Sequence, residues 1–185
     1  MRNSPTQYGL LARFFHWAIA ILVIVTIPIA WTMLRIGEGP MQDRLFVVHE
    51  SIGLTIFVLA ILRVVWRFVE PPPSLPATVP PGQALLAQIN HWLLYLLLFL
   101  MPVTGYLSVV AGGYPLTFFA LFNVPRLVAK SESLAKFTEN AHLALQYAVY
   151  ALVLIHVAAA LHHHLVKRDG VLRRMWPGLR AASAD

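Results

Sequence analysis

Residues 141–166 read AHLALQYAVYALVLIHVAAALHHHLV. This stretch exceeds the ~20 apolar residues a helix needs to cross a bilayer. It contains histidines but no Asp, Glu, Lys or Arg. His142 and His156 stand fourteen positions apart, close to four helical turns, so both rings point to nearly one face, ~21 Å apart along the axis. An imidazole is costly to bury in hydrocarbon without a partner, so an ionisable residue there marks a functional site. The separation suits two metal centres stacked through one bilayer.

The rest of the chain has the same character. The whole chain holds eight histidines among 185 residues, is 58% hydrophobic and 12% charged, and has a mean hydropathy of +0.68. A soluble domain carries about 25% charged residues, so an integral membrane protein is expected, embedded in the lipid bilayer as a single domain over residues 1–185. The absence of cysteine excludes disulfides, thiolate chemistry, iron–sulfur clusters and covalent c-type haem attachment. The net charge of +6 points to a cytoplasmic membrane face and to no nucleic-acid partner.

Three further apolar stretches lie at about 10–34, 45–69 and 84–110, which with 141–166 predict an all-α, antiparallel four-transmembrane-helix bundle. Pro71, Pro72, Pro73, Pro76, Pro80 and Pro81 make the second connection extended. Gly112, Gly113 and Pro115 break the third helix, and Leu116 to Phe122 is apolar enough to lie at the interface. Pro28 and Pro102 should kink their helices, and Gly53 and Gly105 permit close approach. The first span is too long for a signal-peptide core, and no small-x-small cleavage site follows it.

Basic residues set the orientation. Arg2, Arg13, Arg63, Arg67, Lys167, Arg168, Arg173, Arg174 and Arg180 fall on the side of the chain termini. Arg35, Arg44, Arg126, Lys130 and Lys136 fall on the other. Both termini are therefore expected to be cytoplasmic, in a bacterial inner membrane.

Depth then follows from position in an antiparallel bundle. His49 and His142 share the outer layer, and His16 and His156 share the inner one. Two histidines at one depth on facing helices meet the need of a six-coordinate b-type haem, one imidazole to each axial position. Zinc is the competing reading and requires three or four ligands at one depth. The outer layer offers two histidines, whereas His162, His163 and His164 could supplement the inner layer.

The stretches F-H-W (15–17), H-x-x-x-G (49–53), R-x-x-W-R (63–67), H-W-L-L-Y (91–95) with P-V-T-G (102–105), and H-V-A-A-A-L-H-H-H (156–164) together resemble the bacterial cytochrome b561 family, and within it the superoxide oxidase type. The resemblance covers nearly the whole chain. It implies two haem b groups with His16, His49, His142 and His156 as axial ligands. It also implies superoxide oxidised at the periplasmic face and ubiquinone as electron acceptor. The family has a histidine pair after its last ligand where this chain has three in a row, which leaves open whether His162, His163 or His164 serves the quinone.

The remaining polar residues carry alternatives. His91 is left without a haem partner and reads either as a quinone hydrogen-bond partner or as an interfacial residue beside Trp92. Arg63 is placed for a haem propionate or a quinone carbonyl, whereas Arg67 reads as snorkelling to lipid phosphate. Arg44, Arg126, Lys130 and Lys136 could hold propionates of the outer haem or steer a small anion toward it, or form an ordinary solvated loop. The tryptophans read as belt anchors. The chain is thus expected to be a di-haem oxidoreductase passing single electrons from periplasmic superoxide to ubiquinone. The alternatives are a non-catalytic electron-transfer subunit serving a periplasmic redox partner and a haem-free transporter or metal-binding bundle.

Overall fold

The computed structural model describes residues 2–76 and 78–176. Arg180 lies outside the described residues. Among the described residues, four helices are long and apolar enough to cross a membrane: α1 (Leu10–Met33), α2 (Pro40–Val69), α3 (Pro81–Gly112) and α4 (Glu132–His162). The last continues as a π-helical turn over His163–Lys167. Consecutive helices pack against one another, α1 on α2, α2 on α3 and α3 on α4, which makes a four-span membrane bundle. One end holds the first and last described residues and the proline-rich link, and is called the terminal end. The other holds the α1–α2 turn and a β-hairpin, and is called the hairpin end.

Capping explains where the helices depart from the hydropathy pattern. α2 starts at Pro40, because proline at the first helical position has the right φ and lacks a donor that would go unpaired. α4 starts at Glu132 rather than near Ala141. Ser131 caps it by accepting the Leu134 N–H at 3.4 Å, with Glu132 in the positive first turn. α3 closes on Gly113 at φ 91°. The Gly113 N–H reaches Val110 O at 3.2 Å and the Tyr114 N–H reaches Val109 O at 3.1 Å, a left-handed cap that glycine adopts without strain. Both α1 and α3 run unbroken through Pro28 and Pro102.

Few side chains on these helices are buried inside the protein, and many of the exposed ones are large and apolar. The most apolar window of α4 has 0% of its residues buried inside the protein. Phe68, Leu154 and Val58 are exposed although large and apolar, a surface that suits hydrocarbon as solvent and not water. The small protein core joins α1 to α2 through Ile19, Ile52 and Ile56.

Between α3 and α4, β1 (Thr117–Phe118) pairs antiparallel with β2 (Phe122–Asn123). Ser51, fully buried on α2, pins this hairpin. Its hydroxyl accepts the Phe119 N–H at 2.7 Å and lies 2.6 Å from Val47 O and 3.3 Å from Thr117 O. Leu116 is buried within the protein and not at the interface as expected, whereas Leu121 and Phe122 do project outward.

At the terminal end the chain folds back over the start of α1. Trp17 Nε1–H donates to Met175 O at 2.9 Å, Arg13 to Trp176 O at 3.3 Å, and the Tyr8 N–H to Arg174 O at 3.3 Å.

Candidate functional site

Toward the hairpin end, His49 on α2 and His142 on α4 face each other with ring centroids 6.2 Å apart. His142 Nδ1 lies 3.0 Å from Met101 O and 3.2 Å from Thr104 Oγ1. A carbonyl only accepts, so His142 carries its proton on Nδ1 and leaves Nε2 free. Thr104 is itself held, its hydroxyl 2.7 Å from Leu100 O. His49 Nδ1 pairs with Thr26 Oγ1 at 3.1 Å. Each ring is thus oriented from behind through Nδ1, as metal-ligating histidines commonly are by a hydrogen bond from their other nitrogen.

The glycines shape this layer. A Cβ on Gly105 would sit 3.2 Å from His142 Cε1 and 3.3 Å from Nδ1, so the ring occupies space that any side chain would contest. Gly53 lies one turn from His49 on the same face, and a Cβ there would meet nothing within 4 Å. Open space therefore adjoins His49.

Toward the terminal end, His16 on α1 faces His156 on α4 with centroids 6.0 Å apart. His91 on α3 joins them, 5.3 Å from His156; a ring without a partner in sequence acquires one in space. Arg63 Nη2 lies 3.2 Å from His16 Nδ1, and its Cζ sits 5.2 Å over the Tyr95 ring. Arg67 stacks 5.4 Å from Trp92 and 5.6 Å from Tyr95. Its guanidinium is therefore held on aromatic faces rather than merely reaching toward lipid. Among the described residues the ion pairs are Arg2–Glu70 and His163–Asp169, so neither guanidinium has a carboxylate partner there.

The histidine run separates into distinct environments. His163 bonds Asp169, which also accepts the Val171 N–H at 3.2 Å. Burial alone would raise the Asp169 carboxyl, but the bonds from His163 and Val171 outweigh it and hold it below its usual range. His164 is half-buried and His162 exposed. Elsewhere Arg126 donates to Gly113 O at 3.1 Å and Lys130 lies along Gly113, so both brace the loop. Trp31 is more than a belt anchor, because its Nε1–H donates to Tyr150 Oη at 2.9 Å and ties α1 to α4.

The spacing of the two pairs fits a metal between the rings. Two imidazole–metal bonds of about 2 Å, plus the half-widths of the rings, place centroids roughly 6 Å apart, against 6.2 and 6.0 Å here. Among the described residues, no group of three or more His, Cys, Asp or Glu is placed to hold a metal ion. Two imidazoles facing each other at each depth suit a haem, whereas tetrahedral zinc needs three or four ligands.

The family model described as Prokaryotic cytochrome b561 matches residues 7–178. An Escherichia coli (strain K12) protein named Cytochrome b561 homolog 2 is 34% identical over 175 residues, 94% of this chain and 93% of its own length. A Yersinia pestis protein named Probable superoxide oxidase CybB is 31% identical over 177 residues, covering 94% and 98%. Cytochrome b562 of Cereibacter sphaeroides is 29% identical over 180 residues, covering 95% and 98%.

Proposed function

This chain belongs to the prokaryotic cytochrome b561 family, electron-transfer proteins of the membrane for which b-type haem is implied, and on that premise we propose a superoxide:ubiquinone oxidoreductase with two haems. The observation that carries the reading is the pair of histidine pairs at two depths, with centroids 6.2 and 6.0 Å apart. His49 and His142 would hold one haem and His16 and His156 the other, in a single domain with both termini cytoplasmic in the inner membrane. Bound there, haem supplies a one-electron couple at each depth.

The protein's own residues do the rest. Thr26, Thr104 and Met101 O fix the ring planes of the hairpin-end pair, and apolar helix faces keep water from both layers. Two superoxide anions give up one electron each at the periplasmic face and leave as dioxygen. Ubiquinone takes both electrons and two protons at the terminal end. His163, backed by Asp169, is suited to hand on a proton there. Arg63 and His91 are the candidates to bond a quinone carbonyl, and half-buried His164 is a second proton source.

The test is superoxide-driven reduction of the purified protein, read at the haem α-band with and without soluble ubiquinone. Rapid reduction followed by quinone-dependent reoxidation supports the proposal. A haem spectrum that superoxide leaves oxidised overturns it in favour of an electron-transfer subunit for another periplasmic donor.

A further inference from the structure

The two histidine layers are not equivalent in what stands behind the rings. Toward the hairpin end, oxygens stand there: Met101 O at 3.0 Å and Thr104 Oγ1 at 3.2 Å from His142 Nδ1, and Thr26 Oγ1 at 3.1 Å from His49 Nδ1. A carbonyl accepts, the Thr104 hydroxyl still has lone pairs to offer while donating to Leu100 O, and the Thr26 hydroxyl can likewise accept. When Nε2 ligates iron, the Nδ1 protons of these rings therefore have acceptors. Drawing the proton outward makes the ring a stronger electron donor, which favours the ferric state.

Toward the terminal end a cation takes that place. Arg63 Nη2 is 3.2 Å from His16 Nδ1, and a guanidinium has five donors, no acceptor and a permanent charge. It can bond a bare Nδ1, but it offers nothing to an Nδ1 proton. Arg67 adds a second positive charge on the Tyr95 ring that Arg63 also faces. Neither has a carboxylate partner among the described residues. Both lie on a helix long and apolar enough to span the membrane, where screening by salt is weak. A ferric haem carries one more positive charge than a ferrous one, so nearby cations favour the ferrous state.

We propose that Arg63 is a positioning residue for redox potential: it holds the His16–His156 site above the His49–His142 site and so sets the downhill direction from hairpin end to terminal end. The inference rests on the haem reading above. It adds the order of the two potentials and the residue that imposes it.

The experiment is a potentiometric titration of the α-band in the purified full-length protein. His142→Ala leaves the terminal-end site to be read alone, and His156→Ala leaves the hairpin-end site. The wild type should titrate as two components, with the one retained in His142→Ala the higher. Arg63→Gln should lower that component and leave the other unmoved. Arg63→Lys, which keeps the charge, should restore most of the shift. Thr104→Val, which removes an acceptor from the His142 proton, should raise the hairpin-end component. The inference is overturned if the hairpin-end component is the higher, or if Arg63→Gln raises or does not move the terminal-end component while both haems are retained. A wild-type protein with no b-type spectrum, or with one component at a stoichiometry of one haem, overturns the haem reading itself.

Discussion

Adding a single methyl group at Gly105 should loosen one haem and spare the other. In Gly105→Ala the new Cβ would lie 3.2 Å from His142 Cε1 and 3.3 Å from Nδ1, so the ring must retreat by a few tenths of an ångström. It is not free to do so, because Met101 O and Thr104 Oγ1 hold Nδ1 at 3.0 and 3.2 Å. Overpacking of this kind costs about 1–3 kcal/mol. Disturbing the partner that orients a metal-bound histidine weakens the metal by roughly 10–100-fold, or about 1.4–2.7 kcal/mol. The two ranges agree, so haem at the His49–His142 layer should dissociate about 10–100-fold more readily. The assay is haem content per protein by pyridine haemochrome, with apo-protein titrated against haem. Content should fall from two haems toward one, and the remaining spectrum should match that of His142→Ala. Full retention of both haems at wild-type affinity would refute the reasoning, since it would mean that the ring does not occupy the space beside Gly105.

Other perturbations separate the parts of the structure. His142→Ala should remove the hairpin-end haem alone and His156→Ala the terminal-end haem alone, each halving the α-band; loss of both from either change, with helicity intact by circular dichroism, would contradict independent layers. Ser51→Ala leaves the Phe119 N–H without its buried acceptor, a loss of about 1–3 kcal/mol, and should speed hydrogen exchange over residues 117–123 without altering haem content. Trp31→Phe removes the bond to Tyr150 that ties α1 to α4 and should lower thermal stability by about 0.6–1 kcal/mol. Asp169 has a depressed folded pKa, so its contribution is present above the unfolded value of about 3.9 and is lost as pH falls through the folded one. Asp169→Asn should therefore flatten the acid limb of stability against pH, measured by thermal unfolding in detergent.

Much of the architecture was legible in the residues because the bilayer restricts the alternatives. A helix that satisfies its own backbone and shows apolar side chains all round is the stable way to cross hydrocarbon, so hydropathy located four spans, and alternating direction placed His16 near His156 and His49 near His142. The end of α3 followed from Gly113 in the same local way. The start of α4 did not, because its first turns are polar and fall outside the apolar stretch, and it is the Ser131 cap on the Leu134 N–H that marks the helix there. The fold-back of residues 170–176 onto Trp17 was not legible either, since its hydrogen bonds go to backbone carbonyls that carry no residue-specific signal and its Trp17–Trp176 ring contact joins residues far apart in the chain.

Sequence alone determined the class of protein, the number of spans and the depth of each histidine, because hydrophobicity and helical rise act along the chain. Only the tertiary structure decided what lies behind each ring: a carbonyl and hydroxyls at His142 and His49, a guanidinium at His16, and a third ring from His91 beside His156. Those relations depend on the rotation of one helix about its axis against its neighbours. In a membrane, where lipid is as apolar as the helix faces, close packing and a few polar contacts set that rotation, and hydropathy does not encode it.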